Sequence, residues 1–439
     1  MNLYKLVAFI SFFTITLNAQ MNKIEFTEFT LENGLHVILH EDHSNPIVAV
    51  AMMYHVGSKN EKPERTGMAH FFEHLLFEGS ENIERGEFFN YIQNAGGLNN
   101  AYTSNDKTCY WELFPSNQLE LGLWLESERL LHAKVEEIGI ETQREVVKEE
   151  KRLRVDNQPY GTFIGELMKR AFIEHPYRWT VIGSLEHLNA AQEEEFMDFY
   201  KTFYVPNNAV LSIAGDINVE ECKKLVNDYF AEIPKGNTEI PRPNIIEPKK
   251  EFEIRDTIYD NIQLPAVFHG FHIPAQGTQD YYAVDMLNQL LSGGESSRLN
   301  TSLVEESQKA VYSGAFTFNL EDPGMTIALA MANSEENPKD IEQLMDLEYK
   351  KVQKELITDR EFQKLRNQIE NNFIQSNYKM YDIAENLANY HIFYGDASLI
   401  NTEIDKYLAV TKEDILNVAN KYYNKDNRVT LYYLPKENN

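Results

Sequence analysis

Two histidines bracket a glutamate in the run His70-Phe71-Phe72-Glu73-His74. Histidines four apart on a helix project from one face a turn apart, so both imidazoles can reach a single Zn²⁺. Glu73 lies three residues after His70 on the same side. It is placed to take a proton from a metal-bound water without being a ligand. The bland alternative is a pair of core histidines satisfied by backbone hydrogen bonds. Burying two imidazoles and a carboxylate on one face without a compensating charge is costly, which counts against it.

A tetrahedral catalytic zinc takes a third protein ligand and leaves its fourth position open. The segment Glu141-Thr-Gln-Arg-Glu-Val-Val-Lys-Glu-Glu-Lys-Arg-Leu-Arg154 offers Glu141, Glu145, Glu149 and Glu150. Helical phase puts Val146, Val147, Glu150 and Leu153 on one face and Glu145, Glu149 and Arg152 on another. Glu150 is therefore expected to point into the core with the apolar residues, where a metal would compensate its charge. The expectation is one zinc per chain on His70, His74 and Glu150.

The elements that position these residues alternate strand-like and helix-like. A hairpin is expected around Asn33-Gly34, a buried strand in IVAVAMMYHVGS, and helices from about Gly67 to Phe77 and about Glu84 to Ala95. Strands follow in LNNAYTSN and TCYWELFP, then helices from about Gln118 to Leu131 and about Glu141 to Val155. The helix-then-strand order of FMDFYKTFYVPNNAVLSIAGD returns at the end of the chain in ILNVANKYYNKDNRVTLYYLP, with Asn208 and Asn427 in matching places. The reading is α+β, two related domains at 23–235 and 251–436. They are joined by a proline-rich linker at 236–250.

With 68 acidic against 41 basic residues the formal charge is −27, which repels phosphate backbones and argues against nucleic acid as a partner. Residues 1–19 read as a signal peptide, with Lys5 followed by an apolar run from Leu6 to Leu17 that is too short to span a bilayer. Export is expected, to the bacterial periplasm. Cys109 and Cys222 are too few for a disulfide framework and are expected to be free, buried thiols. His269 and His272 fall on a probable strand and face opposite sides, so a second metal site there is not expected. His175-Pro176-Tyr177 reads as a structural turn.

His-x-x-Glu-His, followed 76 residues later by a glutamate within Arg-Glu-Val-Val-Lys-Glu-Glu, resembles the pitrilysin or inverzincin family of metallopeptidases, which includes insulin-degrading enzyme and the mitochondrial processing peptidase. The likeness extends to HFFEHLLFEGS, GGLNNAYTSNDKTCYW, HPYRWTVIG and SSRL. It implies two α/β-sandwich domains forming one half of a clamshell that closes on a peptide. It also implies endopeptidase activity. The substrate would add as a strand to an exposed sheet edge, here Asn100, Ala101, Tyr102 and Thr103.

Two departures from the family pattern stand out. Gln143 stands seven residues before Glu150, where many family members carry a glutamate, and its amide can orient a histidine or a water but cannot share a proton. In the second domain Tyr312 is kept, but Glu305 stands where the family places an arginine aimed at the substrate carbonyl. Arg298 is a candidate substitute. The resemblance then implies the zinc-bearing subunit of a heterodimer whose homologous partner brings the arginine and tyrosine, or a homodimer. The alternative is a non-catalytic or peptide-capturing subunit.

Overall fold

A computed structural model describes residues 23–236 and 239–436; the expected signal peptide lies outside them. Elements of the first half are β1 (Thr27–Thr30), β2 (His36–Glu41), β3 (Ile47–Tyr54), α1 (Met68–Leu75), α2 (Phe88–Asn94), β4 (Leu98–Thr103), β5 (Thr108–Pro115), α3 (Leu119–Leu131), α4 (Glu137–Lys151), α5 (Phe163–Ala171), α6 (Leu185–Ala190), α7 (Glu193–Phe203), β6 (Ala209–Gly215) and α8 (Val219–Phe230). Those of the second are β7 (Ile254–Asp260), β8 (Ala266–His272), α9 (Gln279–Ser292), β9 (Ala310–Phe318), β10 (Met325–Ala332), α10 (Pro338–Lys354), α11 (Asp359–Gln375), α12 (Met380–Tyr394), α13 (Leu399–Leu408), α14 (Lys412–Tyr422) and β11 (Arg428–Pro435).

The internal repeat is plain in the strand order. The first sheet runs β1-β2-β6-β3-β5-β4 and the second β7-β11-β8-β10-β9. Setting β1 aside, the two are the same path, with one parallel pair (β2 with β6, β7 with β11) and antiparallel neighbours elsewhere. Asn208 and Asn427 do the same work in each half. The Asn208 amide donates to Phe203 O and His55 O, and the Asn427 amide to Tyr422 O and His272 O, tying the helix end to the strand beside it.

The unbroken apolar run of β3 follows from burial on both faces. Val48, Val50, Met52 and Tyr54 join the core formed with α1, α3 and α7. Ala49, Ala51 and Met53 face the other way, and their small side chains admit α12 from the second half, packed through Ile383, Ala384, Leu387 and Ala388. The exchange is reciprocal. Helix α5 of the first half lays Leu167, Met168 and Ala171 on the outer face of the second sheet, against Phe268, Ile327 and Leu431.

Several expected boundaries shift. Helix α2 begins at Phe88 rather than Glu84, because Gly86 takes a left-handed φ of 82° and turns the chain just before it. Helix α4 begins at Glu137, earlier than expected, and its last turn widens into a π-helical segment at Arg152–Asp156. The linker is strapped to the first half. The Arg242 guanidinium donates to His55 O, and the Glu247 carboxylate accepts from the main-chain N–H groups of Ile173, Glu174 and His175. Both cysteines are free and buried. His269 bonds Tyr349 while His272 packs on Phe172 on the opposite side of β8. Among the described residues no helix is long and apolar enough to cross a membrane.

Candidate metal centre

Helix α1 is anchored by the apolar side chains Phe71, Phe72 and Leu75 and by the Tyr110 hydroxyl, which donates to Phe72 O at 3.1 Å. Its start is fixed by two residues. Gly67 has φ 94°, and an added Cβ there would lie 2.8 Å from Ile182 O. Glu61, fully enclosed, accepts from the N–H groups of Gly67 (2.8 Å) and Ala69 (2.9 Å). A carboxylate at a helix N-terminus satisfies otherwise orphaned donors and complements the helix dipole. Burial pushes the Glu61 carboxyl up to about 8, against those donors, which favour its charged form. Glu61 was missed in the sequence because it lies seven residues before the first residue of the helix, beyond the reach of the usual capping motifs.

With α1 so held, His70 and His74 turn their rings toward α4. The rings are 4.8 Å apart at 78° to each other. Glu150 Oε2 lies 3.1 Å from His74 Nε2 and 3.6 Å from His70 Nε2. One donor atom from each of the three residues falls within 4.8 Å of the others. Oε2 of Glu150 is buried and makes no hydrogen bond, and neither does Nδ1 of His70. Two imidazoles and a carboxylate that converge with an unspent oxygen are a donor set suited to zinc. Burial, then the neighbouring His74, pushes His70 down to about 4, so its ring is neutral at pH 7. The close His74 ring holds the Glu150 carboxyl below its ordinary value despite burial. Its other oxygen pairs with Arg154 at 2.8 Å, a partner the sequence reading did not single out.

Glu150 reaches this position by a narrower face of α4 than the periodicity suggested. Val147 is fully buried, but Val146 is 44% and Leu153 55% exposed, so neither belongs to the inward face. Leu153 lies in the π-helical segment, where the 3.6-residue period no longer applies. The remaining glutamates pair on the surface of the helix, Glu141 with Arg144, Glu145 with Lys148 and Glu149 with Arg152. Gln143 makes no hydrogen bond to either histidine. Its amide donates to Glu78 Oε1.

Glu73 stands on the β4 side of α1, where its Oε2 accepts from Thr103 Oγ1 at 2.8 Å. Burial pushes its carboxyl above the ordinary value, opposed by the Thr103 hydroxyl. Strand β4 is the free edge of its sheet. Ser104 N–H donates to Lys107 O across the β4–β5 turn, and the antiparallel alternation then turns Tyr102 and Asn100 toward β5. Asn99 and Ala101 are left with main-chain groups pointing to the open side. The side chain of Tyr102 is turned away from α1, and its hydroxyl donates to Glu385 on α12. Tyr102 therefore contributes backbone and support at this edge, not a side chain facing α1.

In the second half, Tyr312 is 53% exposed on β9, the corresponding edge of the second sheet. Glu305 is exposed in a π-helical segment, within 3.5 Å of the Asn300 amide. Arg298, expected as a candidate substitute at the Glu305 position, is paired with Glu361 through both Nε (2.9 Å) and a terminal nitrogen (3.1 Å), so it is committed elsewhere.

A second grouping, Glu28, His36 and His391, also brings three donors together. Its two rings stack in near-parallel planes, 3.5 Å between centroids at 9°. An imidazole nitrogen binds a metal in the plane of its ring, and two such planes share no point for one ion. This grouping is a stacked contact between β2 and α12, with Glu28 bonded to His36 at 3.2 Å.

Two family models match the chain. The one described as Insulinase (Peptidase family M16) covers residues 36–184, which include His70, Glu73, His74 and Glu150, and the one described as Peptidase M16 inactive domain covers 190–369. A relative from Helicobacter pylori named zinc protease PqqE is 28% identical over 438 residues, spanning 98% of each chain. The crystal structure of a protease from Helicobacter pylori superposes with a TM-score of 0.89 at 28% identity, covering 94% of this chain and all of that one. Pitrilysin superposes with a TM-score of 0.77 at 17% identity, covering 96% of this chain and 46% of pitrilysin. That likeness is one of fold, and this chain is equivalent to one half of the longer molecule.

Proposed function

The chain belongs to the M16, insulinase-like peptidase family, and from that membership and the geometry of its centre we propose that it is a zinc-dependent endopeptidase. The observation that carries the reading is the convergence of His70, His74 and Glu150, with Glu73 on the same helix as the two histidines. When bound by these three, zinc would polarise the scissile carbonyl and make a water molecule acidic at neutral pH. Glu73, raised in pKa by burial and held by Thr103, is the group that takes the proton from the attacking water and returns it to the leaving amine. The outward main-chain groups of Asn99 and Ala101 hold the substrate as an added strand, with little regard to its sequence. The leader-like residues 1–19 support export, and we assign the protein to the bacterial periplasm.

A half-molecule relative to pitrilysin, with Glu305 in place of an arginine and Arg298 engaged elsewhere, is suited to be the zinc-bearing subunit of a dimeric clamshell. Its partner is a homologous subunit carrying the arginine and tyrosine, or a second copy of the chain. A second reading, a subunit that captures peptides without cutting them, is favoured by the match of residues 190–369 to the inactive-domain model and by the charge of Glu305. One experiment separates these readings: zinc content and cleavage of a quenched peptide by the purified chain, with a chelated control and a reconstituted pair. One zinc per chain with chelator-sensitive cleavage supports the peptidase. Zinc without cleavage, alone and in the pair, supports capture, and absence of zinc binding refutes the peptidase.

A further inference from the structure

The second half grips the β4–β5 hairpin at four places. At its tip, Asp106 accepts from the Tyr177 hydroxyl (2.7 Å) and from Glu321 N–H of the β9–β10 turn (3.0 Å), and pairs with Lys59 Nζ (3.0 Å). Lys59, itself buried, continues to Glu321 and Asp322 of that turn. On the hairpin's flank, Lys107 Nζ donates to Asn389 Oδ1 of α12 at 2.6 Å and lies 3.6 Å from Glu385. Behind the edge strand, the largely buried Tyr102 hydroxyl donates to that same Glu385. Farther along, Trp111 of β5 stacks on Tyr381 of α12 at 4.8 Å.

These contacts fall where the strand has least support of its own. An edge strand has one hydrogen-bonding neighbour, and β4 also carries Thr103, which holds Glu73 one residue after Tyr102. Apolar packing alone would cover the sheet behind β4. A tyrosine hydroxyl on a carboxylate and a lysine bracketed by two acceptors instead fix the strand's position in a defined direction.

We propose that Glu385 of the second half is a positioning residue for the peptide-binding edge, acting through the Tyr102 hydroxyl to keep β4 ordered before a peptide pairs with it. The inference rests on the peptidase reading for its kinetic consequence and on the hairpin contacts alone for its structural one. A template strand already held in place spares an arriving peptide the entropy of ordering it, so its loss raises KM more than it lowers kcat.

The test uses the full chain, or the reconstituted pair if the pair is what cleaves. Loss of a hydrogen bond to a charged acceptor predicts about a tenfold rise in KM for Glu385→Ala, with kcat within about threefold and zinc content unchanged. Glu385→Gln, whose amide oxygen can still accept from Tyr102, is expected to recover most of the loss. Tyr102→Phe should match Glu385→Ala and stands in for it if Glu385→Ala does not fold, and the double variant should be no worse than either. Hydrogen exchange provides a readout independent of cleavage, with the Asn100 and Tyr102 amides, bonded to β5, exchanging about tenfold faster in both variants. Unchanged exchange at these amides overturns the proposal, as does faster exchange with unchanged KM, or a KM change accompanied by zinc loss. If the wild-type protein cleaves nothing, the peptidase reading fails, and exchange still decides whether Glu385 orders the strand.

Discussion

Glu150→Ala and Glu73→Gln separate holding the metal from moving the proton, and the structure sets the size of each effect. At pH 7 Glu150 is ionised and His70 neutral, so both are ready to bind. Protein zinc sites bind with roughly 10–16 kcal/mol, about 3 kcal/mol for each of four positions, so removing Glu150 should weaken binding about 10²-fold. At free zinc 100 times the wild-type Kd, binding stabilises the wild-type fold by about 2.7 kcal/mol. At the same concentration the alanine variant gains only about 0.4 kcal/mol. Glu73→Gln keeps the side-chain shape and a carbonyl oxygen for the Thr103 hydroxyl, so it should retain the full zinc-linked stabilisation while turnover falls about 10²–10⁴-fold. Unfolding curves against free zinc, metal analysis and peptide cleavage on the same preparations give all three quantities. A zinc-linked shift of wild-type size in Glu150→Ala would refute the ligand assignment. Turnover above about a tenth of wild type in zinc-loaded Glu73→Gln would refute the base.

Other expectations concern what holds the centre in place. Leu387→Ala removes a fully buried side chain of α12 from the outer face of the first sheet and should cost about 2–5 kcal/mol in urea unfolding; a cost below about 1 kcal/mol would mean the exchanged helix is not integral to that half. Glu61→Ala orphans the buried N–H groups at the start of α1 and should cost about 1–3 kcal/mol and weaken zinc binding, measured by metal titration at pH 7; unchanged zinc affinity would show that α1 is set by packing alone. Burial opposes ionisation of Glu321, but His55 and Lys59 hold its carboxyl down at about 2, against 4.5 ordinarily. Its stabilising contribution is present above about pH 4.5 and is lost as the pH falls through about 2. Melting temperature followed from pH 6 to pH 2 should show a shallower acid limb for Glu321→Gln, and an unaltered limb would remove Glu321 from the contact between halves.

Much of the site was legible from local spacing. A four-residue interval fixes His70 and His74 on one side of a helix wherever that helix goes, and the same geometry brings Glu73 along. The internal repeat was legible because two copies of a helix–Asn–strand corner need the same asparagine to close them, as Asn208 and Asn427 do. Phase on α4 selected Glu150 from four candidates, but the apolar neighbours used to argue it were partly misread, since Val146 and Leu153 are exposed.

Sequence by itself determined the donor types and their spacing, properties of one stretch of helix, and the repeat, a property of two matching stretches. Tertiary structure alone decided which surfaces meet. It brought Glu61 back onto the start of α1, committed Arg298 to Glu361, turned Gln143 to Glu78 and Tyr102 to Glu385, and exchanged α5 and α12 between the halves. The physical reason is that periodicity records which face of an element is buried, whereas the partner on that face is chosen by packing among segments distant in the chain, Tyr102 and Glu385 being 283 residues apart.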